Sequence, residues 1–380
     1  MKNKLVIIFA FALAFIACEN QENSFDDFGS TAVYFPFQTP IRTLIQGRYD
    51  LGFNDNDNNG RFEIGLTMTG VYENTEDRTV GFELAPDLID AAALGLDTVN
   101  VKILPASYYT IEQESPLTIP AGSIKGRIPV QLTDDFFNDP LAYAGENEVH
   151  YVVPLKITNY EGIDSLLTGV PAEGVLNPIK IKADDWETLP KDYTLYGIKF
   201  TNKYSGIYLR RGEDIFQGTK DSLNISSGIR IDNPNYSDTV IYSKEYVEQD
   251  ELTSVITSGK NQVTNTNLIK RGTISSDKEL AITLEVSDNG DVIVSPVENG
   301  NQTVTGSGKW VEDGDQWGGK TQNVLYLEYQ FTDIDTIQYK TFGRVTDEVY
   351  INFQHQVKDT LVVRDRNIKF EEFIINLEKN

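Results

Sequence analysis

Apolar side chains recur at every second position through most of this chain. Residues 124–132, 280–286, 324–331 and 349–357 each show this alternation, which places their apolar side chains on one face of a pleated strand. Apolar residues at helical spacing are almost absent. The pattern predicts an all-β protein, and the roughly 360 residues that follow an N-terminal leader are enough for two domains.

The N-terminus has the features of an export signal. Residues 1–17 begin with lysines and continue as an apolar run, residues 5–16, which is shorter than the about 20 residues that a membrane-spanning helix needs. Residues 15–18 (Phe-Ile-Ala-Cys) resemble a bacterial lipobox, and Cys18 is the only cysteine of the chain. We therefore predict a signal peptide over residues 1–17, acylation of Cys18, and a flexible polar tether over residues 18–29.

The charge balance of the chain limits its partners. Asp and Glu number 57 against 33 Lys and Arg, which gives a formal net charge of -24. Such a chain repels phosphate backbones, so nucleic-acid binding is not expected. No cofactor motif is visible. The acidic run that follows Cys18, residues 19–27, resembles the surface-export signal of Bacteroidota lipoproteins. This resemblance and the lipobox imply an outer-membrane, lipid-anchored and surface-exposed protein.

The first predicted domain covers residues 30–185 and is an immunoglobulin-like β-sandwich, because several short strands are separated by turn residues. Pro86–Gly95 is predicted as its one helix, with Pro at the start, alanines in the middle and Gly at the end. Pro129 predicts an edge position for its strand, since proline cannot donate to a β-ladder.

A stretch rich in acids and proline, residues 183–190, predicts the joint between the domains. Tyr193–Gly212 then has the pattern of two strands around a polar turn, which we interpret as a hairpin opening the second domain, residues 190–380. Asp288–Asp291 is the strongest hairpin signal of the chain. Eight or more antiparallel strands favour a barrel-like, lipocalin-like domain, with a second sandwich as the alternative.

Both halves resemble known families. Three segments of the first half resemble the N-terminal Ig-like domain of unknown function of Bacteroidota surface lipoproteins: Tyr108–Ile111, Ile119–Ser123 and Tyr151–Ile157. Three segments of the second half resemble the β-rich domain of unknown function that follows it in those proteins: Tyr196–Phe200, Tyr208–Gly212 and Val362–Arg366. The resemblance implies an accessory component of polysaccharide-utilisation loci that captures glycans at the cell surface.

Two stretches are candidate ligand sites. Trp310–Gly319 places Trp310 and Trp317 around acids and glycines, a composition suited to stacking on sugar rings and to accepting hydrogen bonds from their hydroxyls. The predicted hairpin offers Tyr204, Tyr208 and Arg210 as a recognition surface, although an ordinary structural role is the favoured interpretation of both stretches.

A third loop resembles the first half of a calcium-binding loop. Asp55, Asp57 and Asn59 occupy ligand positions, but Leu66 stands where a bidentate Glu is required, so this is at most a weak metal site and no metal is predicted. His355 lies on the apolar face of its strand, which predicts a core imidazole with one hydrogen-bond partner rather than a catalytic base.

No catalytic signature is visible; a G-x-S-x-G nucleophile elbow, for example, is absent. The leading hypothesis is a non-catalytic lipoprotein that binds glycans at the cell surface for polysaccharide capture. The alternatives are a glycoside hydrolase or other carbohydrate-active enzyme, which needs only two suitably spaced carboxylates, and a structural subunit of an outer-membrane transporter complex.

Overall fold

The structure is a computed structural model that describes residues 27–49, 52–143, 145, 148–272, 279–298, 300, 303–375 and 377. The predicted signal peptide, Cys18 and most of the predicted tether lie outside these residues. Within the described part of the chain, no helix combines the length and the apolar character needed to cross a membrane. Strands are numbered β1 to β24 in chain order. The described residues include three short α-helices: α1 (Asp55–Asn58), α2 (Ala91–Leu94) and α3 (Asp134–Asn138).

The N-terminal half is a sandwich of two sheets, as predicted. The first sheet has five strands, which in spatial order are β10 (Ser165–Leu166), β1 (Ala32–Tyr34), β3 (Arg61–Thr69), β8 (Lys125–Leu132) and β6 (Tyr109–Ile111). The path of the second sheet is β24 (Glu371–Glu372), β2 (Pro40–Ile45), β13 (Tyr193–Thr201), β9 (Tyr151–Glu161), β4 (Arg78–Leu84) and β7 (Leu117–Ile119), with β5 (Lys102–Ile103) also paired to β9. A separate pair joins β11 (Val170–Pro171) to β12 (Trp186–Thr188).

The sandwich core lies between the two sheets, because each sheet turns its alternating apolar face inward. Fully buried members come from both sheets and include Val33, Ile64, Val153, Ile198 and Phe200. Strand β9 is buried on its other face as well, where Val152 packs with Ala85 and Leu195. The core confirms the predicted sandwich.

The structure corrects the predicted hairpin of Tyr193–Gly212. The two predicted strands exist, but they do not pair with each other: β13 pairs with β2 and β9 of the sandwich, whereas the next strand, β14 (Gly206–Asn224), belongs to the second domain. The chain therefore crosses between the domains at residues 202–205, and not at the predicted joint near residues 185–190. Because β24 pairs with β2, the chain also returns to the sandwich at its C-terminal end.

Two smaller predictions are corrected in the same domain. The predicted helix Pro86–Gly95 is two short turns, a 3-10 turn at Pro86–Ile89 and then α2, because the carboxylate of Asp90 accepts hydrogen bonds from the N–H groups of Ala92 and Ala93 and starts a new helix. The strand of Pro129, β8, is not an edge strand. The Pro129 carbonyl accepts a hydrogen bond at 3.0 Å from the N–H of Glu112, the residue that follows the last residue of β6. The N–H that Pro129 lacks would therefore lie where the ladder between β8 and β6 has already ended.

The second domain is an eight-stranded antiparallel barrel, which confirms the predicted barrel-like fold. The strands β14, β17 (Glu251–Gly259), β18 (Gln262–Ile269), β19 (Glu279–Val286), β20 (Asp291–Pro296), β21 (Val304–Trp317), β22 (Lys320–Thr341) and β23 (Arg344–Asp365) pair in that order. Pairing of β14 with β23 closes the ring. Outside the ring, β15 (Arg230–Ile231) and β16 (Tyr236–Ile241) pair with β14.

Alternating side chains fill the barrel, as the sequence pattern predicts. The interior includes Leu284, Leu327, Tyr329 and Val357, and the predicted turn at Asp288–Asp291 joins β19 to β20. His355 is fully buried and stacks on Phe331 at 4.2 Å between ring centroids. Its Nδ1 lies 2.9 Å from an Asp214 carboxylate oxygen, while its Nε2 has no partner among the described residues, which confirms a core imidazole with one partner.

Candidate functional site at the domain junction

A cleft of about 540 Å³ lies where the sandwich meets one end of the barrel. Its walls come from three places: the segment after β2, the crossing at residues 202–205, and the barrel end formed by the β21–β22 hairpin and the chain after β23. Strands β2 and β13 run parallel, with Ile45 beside Thr201, so the segments that follow them leave the sheet at the same edge. This shared edge is what brings distant parts of the sequence to one site.

The crossing itself is fixed by Asn202. Its side-chain oxygen accepts from the N–H groups of Tyr204 (3.1 Å) and Ser205 (3.2 Å), and its amide donates to the carbonyls of Gly259 (3.0 Å) and Gln262 (2.9 Å). The first pair of bonds makes the turn that the sequence predicts. The second pair attaches that turn to the β17–β18 end of the barrel and so holds the cleft wall in place.

Arg366 connects the two domains at the floor of the cleft. Its guanidinium donates to the carbonyls of Gln46 (3.1 Å), Arg48 (3.3 Å) and Asn202 (2.6 Å). Burial lowers the pKa of Arg366 below its ordinary value, and the nearby Tyr208 opposes that shift. Because an arginine starts from a pKa above 12, the side chain still carries its positive charge at neutral pH.

Trp317 is the predicted sugar-stacking residue that reaches the cleft. It is half-buried, and its indole N–H donates to the Val363 carbonyl at 2.8 Å, which fixes the ring at the cleft wall. Gly318 and Gly319 follow with φ values of 60° and 77°. Trp317 and Lys320 pair across the hairpin, and the two residues between them form a tight turn in which both have a left-handed backbone. Glycine is therefore required at both positions by the turn and not by a ligand.

Trp310 does not share this site, and its prediction as a ligand residue is corrected. It is 5% exposed inside the barrel, with its ring edge-on to Tyr204 at 5.1 Å. The β21–β22 pairing shifts between Val311 and Asp315, where Asp313 has a φ of 54°. This bulge places the two tryptophans in different environments although the sequence brackets them around one loop.

Tyr204, Tyr208 and Arg210 do not form an exposed recognition surface, so that prediction is wrong as well. All three side chains are at least 97% buried in the barrel. The Tyr208 hydroxyl donates to the Tyr204 carbonyl, and Arg210 contacts Asp359 at 3.0 Å. Burial lowers the pKa of Arg210, but the Asp359 carboxylate outweighs it and holds that pKa above its ordinary value.

The predicted weak metal loop has a structural use. Asp55 and Asp57 lie in α1, and the buried carboxylate of Asp57 pairs with Arg42 and accepts from the Ile45 N–H at 2.9 Å. The Asn59 amide donates to the Asp55 carbonyl at 2.9 Å. Within the described residues, no three His, Cys, Asp or Glu side chains come together as a metal site.

Sequence reasoning missed the polar residues of the cleft. Gln322 is only 9% exposed and lines the cleft, yet its side-chain amide has no hydrogen-bond partner among the described residues. Its amide atoms are not among the buried side-chain atoms that lack a partner, so they are open to the cleft, where a ligand can take the place of water. Its position on β22 gives no sequence signal, since strand glutamines usually face solvent. The other missed lining residues include Arg48, Tyr49, Lys203, Arg364 and Arg366.

Comparison with known proteins agrees with this architecture. A solved structure from Bacteroides ovatus, of a protein of unknown function, is 30% identical to the chain, covers 93% of it and 100% of its own length, and superposes with a TM-score of 0.72. This chain belongs to the family of that protein. Residues 203–367 match a family described as a domain of unknown function (DUF5627), and residues 25–164 match a family of N-terminal domains. The first match begins at the crossing that opens the barrel.

More distant solved structures also come from Bacteroides. An auxiliary nutrient binding protein from Bacteroides thetaiotaomicron is 14% identical, with 85% of this chain and 90% of that chain covered and a TM-score of 0.35. A multidomain protein including DUF1735 from Bacteroides ovatus is 14% identical, with 89% and 96% covered and a TM-score of 0.35. At these TM-scores the likeness carries no argument. No match was found among curated proteins.

Proposed function

We propose that this family member is a non-catalytic lipoprotein of the outer-membrane surface, anchored through Cys18, that binds glycans in the cleft between its domains. The observation that carries the proposal is that one cleft holds a fixed aromatic ring, Trp317, and the open side-chain amide of Gln322. Aromatic faces stack on the apolar faces of sugar rings, and an amide can both donate to and accept from sugar hydroxyls.

The carboxylates of the cleft support binding over hydrolysis. Asp365 is the only acid among the lining residues that the structure describes, and its Oδ1 accepts from the Asn367 N–H at 2.8 Å. Glycoside hydrolysis commonly requires two carboxylates about 5–9 Å apart that flank the scissile bond. The lining residues supply one. In the same proposal, the captured glycan is passed to an outer-membrane transporter, as the resemblance to polysaccharide-utilisation proteins implies.

Trp317→Ala is expected to weaken glycan retention at least tenfold, which corresponds to about 1.4 kcal/mol, because the stacking face is lost. The measurement is affinity electrophoresis of the soluble form, beginning after Cys18, through gels that contain a broad panel of polysaccharides.

Trp186→Ala is a matched control. Trp186 is also half-buried, and its indole N–H donates to the Ile179 carbonyl at 2.9 Å, but it lies outside the cleft lining. Retention should be unchanged in this variant. If none of the polysaccharides retards the unmodified protein, or if both variants lose retention equally, the proposed site is wrong.

Cys18→Ala is expected to abolish incorporation of a fatty-acid label, since Cys18 is the only thiol in the chain. The measurement is labelling of growing cells with a clickable palmitate analogue, followed by detection on the purified protein. Label retained at the unmodified level in the variant contradicts the predicted anchor.

A further inference from the structure

The cleft concentrates positive charge on a strongly acidic chain. Its described lining contains five cations, Arg48, Lys203, Lys320, Arg364 and Arg366, and one acid, Asp365, whereas the whole chain carries a net charge of -24. We propose that the glycan bound in this cleft is anionic, carrying carboxylate or sulfate groups. This inference rests on the proposed glycan-binding function and specifies the chemical class of the ligand.

Not all of these cations are neutralised by neighbours. Arg48 pairs with Asp313 at 2.7 Å and Lys203 with Glu312 at 3.3 Å. Arg364 is exposed and makes no ion pair within the described part of the chain, and Arg366 contacts only backbone carbonyls, which leave its charge in place. Arg364 and Arg366 therefore keep their positive charge at the cleft.

The large negative charge of the rest of the chain does not cancel this local charge. Salt screens exposed charges beyond about 8 Å at physiological ionic strength, so a bound ligand responds mainly to the groups that line the cleft. A guanidinium presents a planar fork of N–H donors that matches a carboxylate or a sulfate, and such charge-assisted bonds are roughly twice as strong as neutral ones. Arg364 is free to act in this way, with Gln322 beside it for hydroxyl groups.

The cleft continues as a groove, which fits a polymer. A second depression of about 440 Å³ shares Arg48, Lys203 and Asn323 with the cleft and leads toward Lys260. Its lining also includes Glu312 and Asp313, the carboxylates that pair with Lys203 and Arg48. An extended chain can therefore lie across the junction. A nucleic acid is also a polyanion, but single strands are usually bound by several stacking aromatic side chains, whereas the described lining offers Tyr49 and Trp317, which favours the glycan.

The test uses two pairs of polymers that differ only in charge. The soluble form beginning after Cys18 is titrated with polygalacturonate and its fully methyl-esterified form, and with dextran sulfate and dextran. We expect at least tenfold tighter binding to one or both anionic members than to their neutral partners, and weaker binding as salt rises from 50 to 300 mM. Which anionic member binds distinguishes carboxylate from sulfate recognition.

Arg364→Gln combined with Lys320→Gln is expected to lower anionic binding at least tenfold. The control, Lys125→Gln combined with Lys358→Gln, removes two exposed cations outside the cleft lining and should change binding less than twofold. If both double variants lose the same amount of binding to the anionic polymers, the attraction is a general charge effect and the inference is overturned. A single-stranded oligonucleotide that binds as tightly as the anionic polysaccharides also overturns it. If neutral polymers bind tightly and Trp317→Ala removes that binding, the cleft binds glycans but the inference of an anionic ligand is wrong. If no polymer binds, both the anionic ligand and the proposed glycan binding are wrong.

Discussion

Asp359→Ala is expected to lower the free energy of unfolding of the barrel by about 3–5 kcal/mol, because it leaves a buried guanidinium and two buried hydroxyls without their acceptor. Asp359 is 3% exposed. Its carboxylate accepts from Arg210 Nε at 3.0 Å and from the hydroxyls of Tyr242 (2.5 Å) and Tyr329 (2.8 Å). Glu251 still contacts Arg210 at 2.9 Å, so the positive charge of Arg210 keeps one partner in the variant. The expected loss of about 3–5 kcal/mol takes this remaining partner into account.

The measurement is denaturant unfolding followed by tryptophan fluorescence, in which the buried Trp310 reports on the barrel. Asp359→Asn is an informative second variant, since it keeps the shape of the side chain and one acceptor oxygen but removes the charge. Its free energy of unfolding should lie between those of the unmodified protein and Asp359→Ala. Glu328→Ala is the control: its carboxylate lies 4.0 Å from Lys358 in solvent, where ion pairs contribute little. A loss below about 1 kcal/mol for Asp359→Ala contradicts a buried network.

The strands of the barrel could be predicted from the sequence because each has one interior face and one solvent face. Leu280, Ile282 and Leu284 alternate with polar residues, and only a strand places them together. His355 could be assigned to the core by the same argument, since it continues the apolar face of Ile351 and Phe353. These predictions depend on neighbours within one strand, which is information that the sequence holds locally.

The partners of a strand are a different matter. Asn202 makes the same local turn whether the flanking strands pair with each other or belong to two domains. The turn could therefore be predicted from the sequence, whereas the pairing of the flanking strands could not. The phase of β14 was misassigned for a related reason. A recognition surface requires Tyr208 to face outward, but Tyr208 fills the barrel, while Leu209 is buried on the outer surface with Val324 and Val362.

The cleft shows the same limit for the candidate site. Trp317 could be named because aromatic residues near glycines are an unusual local composition. Gln322, Arg364 and Tyr49 could not, because their common location depends on parallel pairing of β2 with β13 and on closure of the barrel. A site assembled from segments that are more than 300 residues apart requires the tertiary structure.

Gly308→Val is expected to destabilise the barrel by about 3 kcal/mol, because β21 has no room for a side chain at this position. A Cβ at Gly308 would lie 2.2 Å from the Tyr326 carbonyl oxygen and 2.7 Å from Leu327 Cδ2. The first of these atoms belongs to the backbone of β22, so relief requires a shift of the ladder and not a change of rotamer. Gly306 is equally constrained, with the Glu328 carbonyl oxygen at 2.4 Å. The two glycines therefore allow β21 to approach β22 closely in the wall of the barrel.

Ser307→Val is the matched control for this variant, since Ser307 lies between the two glycines on the exposed face of the same strand. A β-branched side chain suits a strand surface, so its unfolding free energy should stay within about 0.5 kcal/mol of the unmodified protein. The measurement is again denaturant unfolding followed by tryptophan fluorescence. If Gly308→Val is as stable as Ser307→Val, β21 can move away from β22 without lowering the free energy of unfolding. The close approach of the two strands is then not required for the stability of the barrel. Loss of stability in Gly308→Val alone ties the spacing of these glycines to the geometry of the barrel.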